Sequence, residues 1–445
     1  MAGNELITEK PRLGWFVDGN PDTEHIAVML RDTGAAIELT IPLMEMRGGE
    51  DPYERWWSTS ILFMDDPDRS KYSYQPPRVL MMRDDYGPVV LVGCRSNGYR
   101  RSSGVGRGRI VANYAVLGGK SFDYELVCGV RTEIPALAAW TRLSGMEVFV
   151  ERDDENRAES VQMTLTSPPP VALARRMNLT MQPTWRTERP PGGFLATEGV
   201  KLETTVSKAR GWDEHLLVHG ALLDLVSIAA WRPFGFSAVE VQRAEGDRGG
   251  RAEPSSATSW LKVATHRLLK HEEWDKEPQF LFPYHEVEPR GVKRWLRLRS
   301  DFGRVVGPLL NILRSDDPWS HASLVQSGIA LEMLGYLIDT TKNNGANLNN
   351  RSQMNFKVGL QVILDDMETK PFSDTSGWID RAYDAYMGAK HPDRSEPDSL
   401  DLLNALRENL LVLRFWIALQ LGAMPKTLDD RVRTEPHSHE WVSAL

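Results

Sequence analysis

The stretch YDAYMGAKHPDR, residues 383–394, ends a helix-compatible run on one histidine, His391, followed by Pro392 and flanked by Lys390 and Arg394. At about 100° per residue, Asp380, Asp384 and His391 fall near one helical face, while Trp378, Ala382, Ala385 and Ala389 form an adjacent stripe suited to packing inward. An imidazole can carry a proton in either direction, and cations held beside it can stabilise charge on a phosphate. Such a set suits proton transfer at a phosphate ester: His391 moves the proton, Asp384 orients the ring, and Lys390 and Arg394 hold the charge. The competing reading leaves His391 as an ordinary last-turn residue bonded to a free carbonyl, with Lys390 in water. Glu332 shares a helical register with Val325, Ile329 and Tyr336. Its carboxylate is placed to face the helix-bundle interior, where it either supports His391 or pairs with a buried arginine.

Two other segments concentrate positive charge. CRSNGYRRSSGVGRGR puts Arg95, Arg100, Arg101, Arg107 and Arg109 into what reads as a Gly- and Ser-rich connection between strands, with Tyr99 available for stacking. Guanidinium groups and open backbone amides both favour anions, so the segment suits phosphate or an acidic partner, against the plainer reading of solvated loop charges. No helical period follows GVGRGR, so it is not a dinucleotide fingerprint. RGVKRWLRLRSDFGR sets Lys293, Arg294, Arg297, Arg299 and Arg304 around Trp295. It reads as a wall of a nucleic-acid path or as an amphipathic helix between domains. His215 and His219 have the i, i+4 spacing of a zinc pair but no third ligand nearby, and His437 with His439 falls in an expected mobile tail. No metal, cofactor or nucleophile elbow is assigned.

Elements must position these groups. In the first half, runs such as HIAVMLR, AAIELTIPL, PRVLMMR, GPVVLVG and RIVANYAVLGG alternate with Gly, Asp, Asn and Pro clusters, which predicts an antiparallel sandwich or barrel-like β region over residues 1–157. Residues 158–291 read as mixed α and β, with a buried helix at DEHLLVHGALLDLVSIAAW. From 292 to 425 apolar residues recur at three-and-four spacing, with Leu402, Leu406, Leu410, Leu413 and Ile417 on one stripe and Gly422 and Pro425 as a stop; 426–445 reads as a tail. The expected class is α+β, a β-rich N-terminal region followed by an all-α bundle. A net charge of −8 over 445 residues argues against a surface coated with nucleic acid. Two cysteines, no signal-like start and no apolar run of membrane length predict a soluble cytoplasmic protein without a membrane partner.

GIALEMLGYLI, YMGAKHPDR and LLNALRENLLVLRFWIALQLG, in that order, resemble a HEPN domain of the ApeA-like type. The β-rich part, from LGWFV to YAVLGGKSFDYELVCGVRTEIPALAAWTRLSG, is similar to the N-terminal domain that accompanies it in ApeA anti-phage proteins. The resemblance implies metal-independent RNA cleavage that leaves a 2′,3′-cyclic phosphate and a 5′-hydroxyl. It also implies a homodimer or higher homo-oligomer through the bundle, and an N-terminal region that senses a phage-derived trigger. HEPN ribonucleases usually carry an arginine, four to six intervening residues and then the histidine; here the arginine positions are Asp384, Ala385 and Tyr386, and Arg381 lies on another side of the helix. Lys390, Arg394 or a group from elsewhere must then take the arginine's part. Otherwise the bundle is catalytically silent and serves to bind nucleic acid, nucleotide or a phage protein and to dimerise.

Overall fold

A computed structural model describes residues 3–17, 26–44, 53–57, 75–243, 260–271, 273–435 and 438–442. In chain order the first group of elements is β1 (Arg12–Val17), β2 (Ala27–Asp32), β3 (Ile37–Met44), a one-turn helix α1 (Glu54–Trp57), β4 (Val79–Asp84), β5 (Gly87–Val92), β6 (Arg95–Ser102), β7 (Val105–Ala112) and β8 (Tyr114–Leu117). There follow β9 (Leu126–Glu133), α2 (Pro135–Thr141), β10 (Met146–Arg152), β11 (Ala158–Leu165), β12 (Val171–Ala174), β13 (Leu179–Glu188), β14 (Leu195–Gly211), α3 (Trp212–Ala230), β15 (Ala238–Gln242) and β16 (Leu261–Ala264). Fourteen strands form one antiparallel sheet in the order β12-β13-β14-β9-β15-β16-β8-β5-β4-β1-β2-β3-β7-β6. Among the described residues the outlying hairpin β10–β11 forms a two-stranded sheet of its own. Alternation explains the register: in β1, Arg12, Gly14 and Phe16 are buried while Leu13 and Trp15 face out.

The arginine-rich segment departs from its expected form. CRSNGYRRSSGVGRGR is not a loop between strands but is itself the β6–β7 hairpin, turning through Ser103 and Gly104, both at positive φ (53° and 78°). A two-residue turn of that hand matches strand twist, and Gly104 supplies one of its left-handed positions without strain. Arg100 and Arg107 stand directly opposite each other across the pair.

The remaining chain is helical: α4 (Tyr284–Asp301), α5 (Gly303–Leu313), α6 (His321–Lys342), α7 (Phe356–Asp365), α8 (Thr375–Lys390), α9 (Ser399–Leu421) and α10 (Pro425–Val432). The expected α+β class therefore holds. Side-chain caps set the starts, with Ser320, Asn355, Asp374 and Asp398 accepting from the first-turn amides of α6 to α9, and Gly422 at φ 104° ends α9. α4 is broken at Glu288 (φ 50°), and Pro289 opens its regular part, as its fixed φ and missing N–H allow. α9 is the bundle's centre, buried on every side, including Arg407, Asn409 and Arg414.

The stretch read as a tail is also different. It contains α10, and the residues after it are tied back: Arg414 Nη1 meets Glu435 at 2.5 Å, Arg407 donates to Ser438 O at 2.8 Å, and Asn404 and Trp441 bond each other twice. These contacts give local energetic reasons for the segment to dock that composition does not advertise. His437 lies outside the described residues, and His439 is exposed.

One large core runs from Ile134 and Leu137 through α3 into the helical bundle, joining the second half of the sheet to the helices. α3 supplies the joint. Trp295 of α4 is fully buried and donates to Ala221 O at 2.6 Å, and Asp224, 1% exposed, is clasped by Arg299 (2.7 Å) and by Arg314. On the other face of α3, His219 lies between Thr132 Oγ1 (2.7 Å) and Thr204 Oγ1 (3.0 Å), and His215 reaches Thr204 Oγ1 (2.8 Å) and Val127 O (3.3 Å). Both imidazoles are thus engaged by threonine hydroxyls inside the fold.

Burial holds the His219 ring down to about 3 from the ordinary 6.5. The unfolded chain takes up a proton there that the folded chain refuses, so this contribution is complete above pH 6.5 and drains away as pH falls toward 3. Urea unfolding should therefore lose about 2 kcal/mol of stability from this ring between pH 7 and pH 5. His219→Leu should flatten that slope; an unchanged slope would assign the pH dependence elsewhere.

Candidate functional site

α8 carries the candidate chemistry because its inward stripe is apolar. Trp378, Ala382 and Tyr386 are fully buried, Ala385 nearly so, and Trp378 Nε1 donates to Asn409 of α9 at 3.1 Å. The Tyr386 ring lies flat against Gly328 of α6, where a Cβ would overlap it. Its hydroxyl donates to Glu332 Oε2 (3.3 Å) and accepts from Lys390 Nζ (3.1 Å), whose charge sits 4.9 Å from the ring centroid. Burial of Tyr386 raises its hydroxyl's pKa, and the hydrogen bond to Tyr386 raises that of Lys390, so both keep their protons. Glu332 thus serves neither of its two expected partners, because the tyrosine hydroxyl stands in between.

His391 follows the last residue of α8 with extended backbone (φ −117°, ψ 119°), so it leaves the helical face it was expected to share with Asp380 and Asp384. Its N–H still donates to Met387 O at 3.0 Å, but its ring is exposed and makes no hydrogen bond among the described residues. Arg394 folds back over Tyr383, donating to its hydroxyl at 3.3 Å with the guanidinium 5.4 Å from the ring. Each of the two cations flanking His391 is therefore steadied on a tyrosine. Lys357 of α7 covers the same Tyr383 ring at 4.7 Å while bonding Asp380 at 2.5 Å.

Asp384 points elsewhere. It lines an 810 Å³ cleft between α8 and α9 with Asp374, Asp380, Asp398, Asp401 and Glu408. Arg381 stands in that cleft, held by both oxygens of Glu408 (3.1 and 2.8 Å) and by Asp374 (2.8 Å). It is occupied and does not face His391's solvent-open side as a spare cation. The acidic character of this cleft disfavours a phosphate backbone.

A second cleft, about 1020 Å³, opens at the opposite end of the bundle. Lys293, Arg294 and Arg297, singled out in the sequence, line it together with Arg290, which was not. The signal for Arg290 lay in the spacing 290, 293, 294, 297, one face of a helix. Lys342 and Asp366 pair across the cleft at 2.7 Å, and Asp366 also accepts from Trp416 Nε1 at 2.9 Å. The sequence likewise passed over Tyr383, Tyr386 and Lys357, whose roles depend on contacts between helices.

The β6–β7 arginines belong to a third surface, on the edge strand and its neighbour. Arg95 bonds Asn113 at 3.1 Å and Arg109 approaches Glu38 at 3.9 Å, while Arg100, Arg107 and Tyr99 are exposed. Both cysteines are free thiols: burial pushes Cys94 up to about 12 and also raises half-buried Cys128, so neither is held as a thiolate. No described helix is long and apolar enough to cross a membrane.

Comparison with known proteins adds one relation. The family model described as ApeA N-terminal domain 1 matches residues 11–297, ending within α4. No curated protein and no solved structure matches the chain.

The different states of the arginines are directly measurable. Arg381→Ala strips Glu408, whose side chain is 9% exposed, of its bidentate partner and should cost about 1–2 kcal/mol in thermal or urea unfolding. Arg394→Ala, at an exposed site, should leave stability within about 0.5 kcal/mol. Equal losses would contradict the assignment of Arg381 to structure.

Proposed function

Because the chain belongs to the ApeA N-terminal domain 1 family, we propose that it is an anti-phage defence effector in which the β-rich region regulates a HEPN-type bundle that cleaves RNA. The observation that carries the reading is His391 itself: an exposed ring that makes no hydrogen bond among the described residues, flanked in the chain by two cations steadied on Tyr386 and Tyr383. An imidazole left free in this way is available to a ligand. In the proposed reaction the 2′-hydroxyl of a ribose attacks the adjacent phosphorus while one His391 takes its proton. The 5′-oxygen leaves with a proton from a second imidazole, and Lys390 and Arg394 stabilise the anionic phosphorane. The products are a 2′,3′-cyclic phosphate and a 5′-hydroxyl. Two proton carriers are needed and each chain offers one at this position, so a homodimer would complete the site.

A second reading has its own support. The three positions ahead of His391 where the family arginine falls hold Asp384, Ala385 and Tyr386, and Arg381 is committed to Glu408 and Asp374. A bundle in that condition would bind and dimerise without cutting, and the Arg100–Arg107 edge would carry recognition of a phage component.

End-mapping of total RNA incubated with the protein, alone and with extract of infected cells, separates the two. Cleavage should yield cyclic-phosphate termini and fall about 10²- to 10⁴-fold in His391→Ala. No such termini in any condition, or cutting that survives the substitution, removes the ribonuclease reading. Protection that persists in His391→Ala but disappears on reversing Arg100 and Arg107 to Glu assigns the function to binding.

A further inference from the structure

The cleft beside α4 holds more uncommitted positive charge than its fold uses. Arg290, Lys293, Arg294 and Arg297 stand three, four and seven residues apart on one helical face, where like charges repel. Arg290 also lies in the first turn after Pro289, at the positive end of the helix dipole, which disfavours a cation there. None of the four makes a hydrogen bond or ion pair among the described residues, although their chain carries a net charge of −8. Nearby carboxylates are spent elsewhere: Asp366 on Lys342 and Trp416, and Glu286 on Met424 N (2.9 Å) and Thr427 Oγ1 (2.5 Å) at the start of α10. Four free cations then face two other lining carboxylates, Asp301 and Glu368.

We propose that this cleft binds a small ligand carrying two or more phosphate groups. The four cations span seven residues of helix, about 10 Å of rise, farther than one phosphate reaches and suited to a phosphate chain. Apolar lining from Phe302, Leu419 and Met424 lies beside them and can take a flat ring, while Asp301 and Glu368 can accept from hydroxyl or amino groups. A cavity of 1020 Å³ admits a nucleotide-sized molecule. Inorganic polyphosphate and a nucleoside polyphosphate share the required chemistry. This site is separate from His391: Glu332, beside Lys390 through Tyr386, and Lys342, on the cleft rim, are ten residues apart along α6, about 15 Å of rise. It also joins α4, where the family match ends, to the bundle's closing helices.

Titration calorimetry of the full chain with tripolyphosphate, ATP and GTP, and with a short single-stranded RNA, tests the proposal. Saturable binding of one phosphate-chain ligand per chain, weakening with added salt, is expected. The double reversal Arg294→Glu, Arg297→Glu should reduce affinity at least about tenfold without lowering the ligand-free Tm, since it relieves repulsion between exposed groups. Lys293→Ala gives a milder loss and serves if the reversal misfolds. Tighter binding of ATP or GTP than of tripolyphosphate identifies a nucleotide; equal binding identifies the phosphate chain alone. No saturable binding by any of the three, affinity untouched by both variants, or stoichiometric displacement of the ligands by RNA overturns the proposal. His391→Ala should leave binding unchanged, so failure of the ribonuclease reading and failure of this one are distinguishable.

Discussion

Asp224 is the constraint on which the arrangement of the helices rests. A carboxylate 1% exposed inside α3 requires compensation, and it receives two guanidinium groups, from Arg299 of α4 and Arg314 beyond α5. Trp295 adds a buried donor to Ala221 O one turn away. Together these contacts fix the rotation of α4. Once Trp295 faces α3 and the core, Arg290, Lys293, Arg294 and Arg297 are left on the cleft side, with Leu298 at the border between the two. The cationic wall of the cleft is in this sense the reverse side of a buried joint.

The same logic governs α8. Its packing against α6 and α9 depends on close approach at Gly328 and on the chain of polar contacts from Ser327 through Asn409 to Trp378. That packing buries Tyr386, and the buried tyrosine then holds Lys390 beside His391. The helix ends there because the backbone of His391 turns extended ahead of Pro392, a residue that disfavours helical geometry before it. The imidazole is consequently displayed on a junction, steadied by its neighbours and bonded to none of them.

Much of this was legible in the sequence. The bounds of α6, α8 and α9 follow the apolar period and the Ser, Asp and Gly caps, and the buried stripe of α8 is the one its spacing predicts. Strand content was legible too, but the pairing order was not, since alternation gives faces rather than neighbours. The β6–β7 hairpin was hidden because Gly and Ser dominate its composition, although the Ser103–Gly104 turn is a hairpin signal. At the site, His391, Lys390 and Arg394 were recognisable by type and spacing. That Asp384 belongs to an acidic cleft and that Glu332 serves a tyrosine depended on helix rotation, which no local pattern encodes.

Among the described residues the fourteen-stranded sheet ends in two margins, and an unpaired margin is a template on which another chain could add a strand. Here one margin is β12, only four residues long, and the other is β6, where Arg100 faces Arg107 on the neighbouring strand. A short border offers few free amides, and a row of guanidinium groups repels an identical row brought alongside. Brevity on one flank and like charge on the other thus each discourage the addition of a further strand to so broad a sheet.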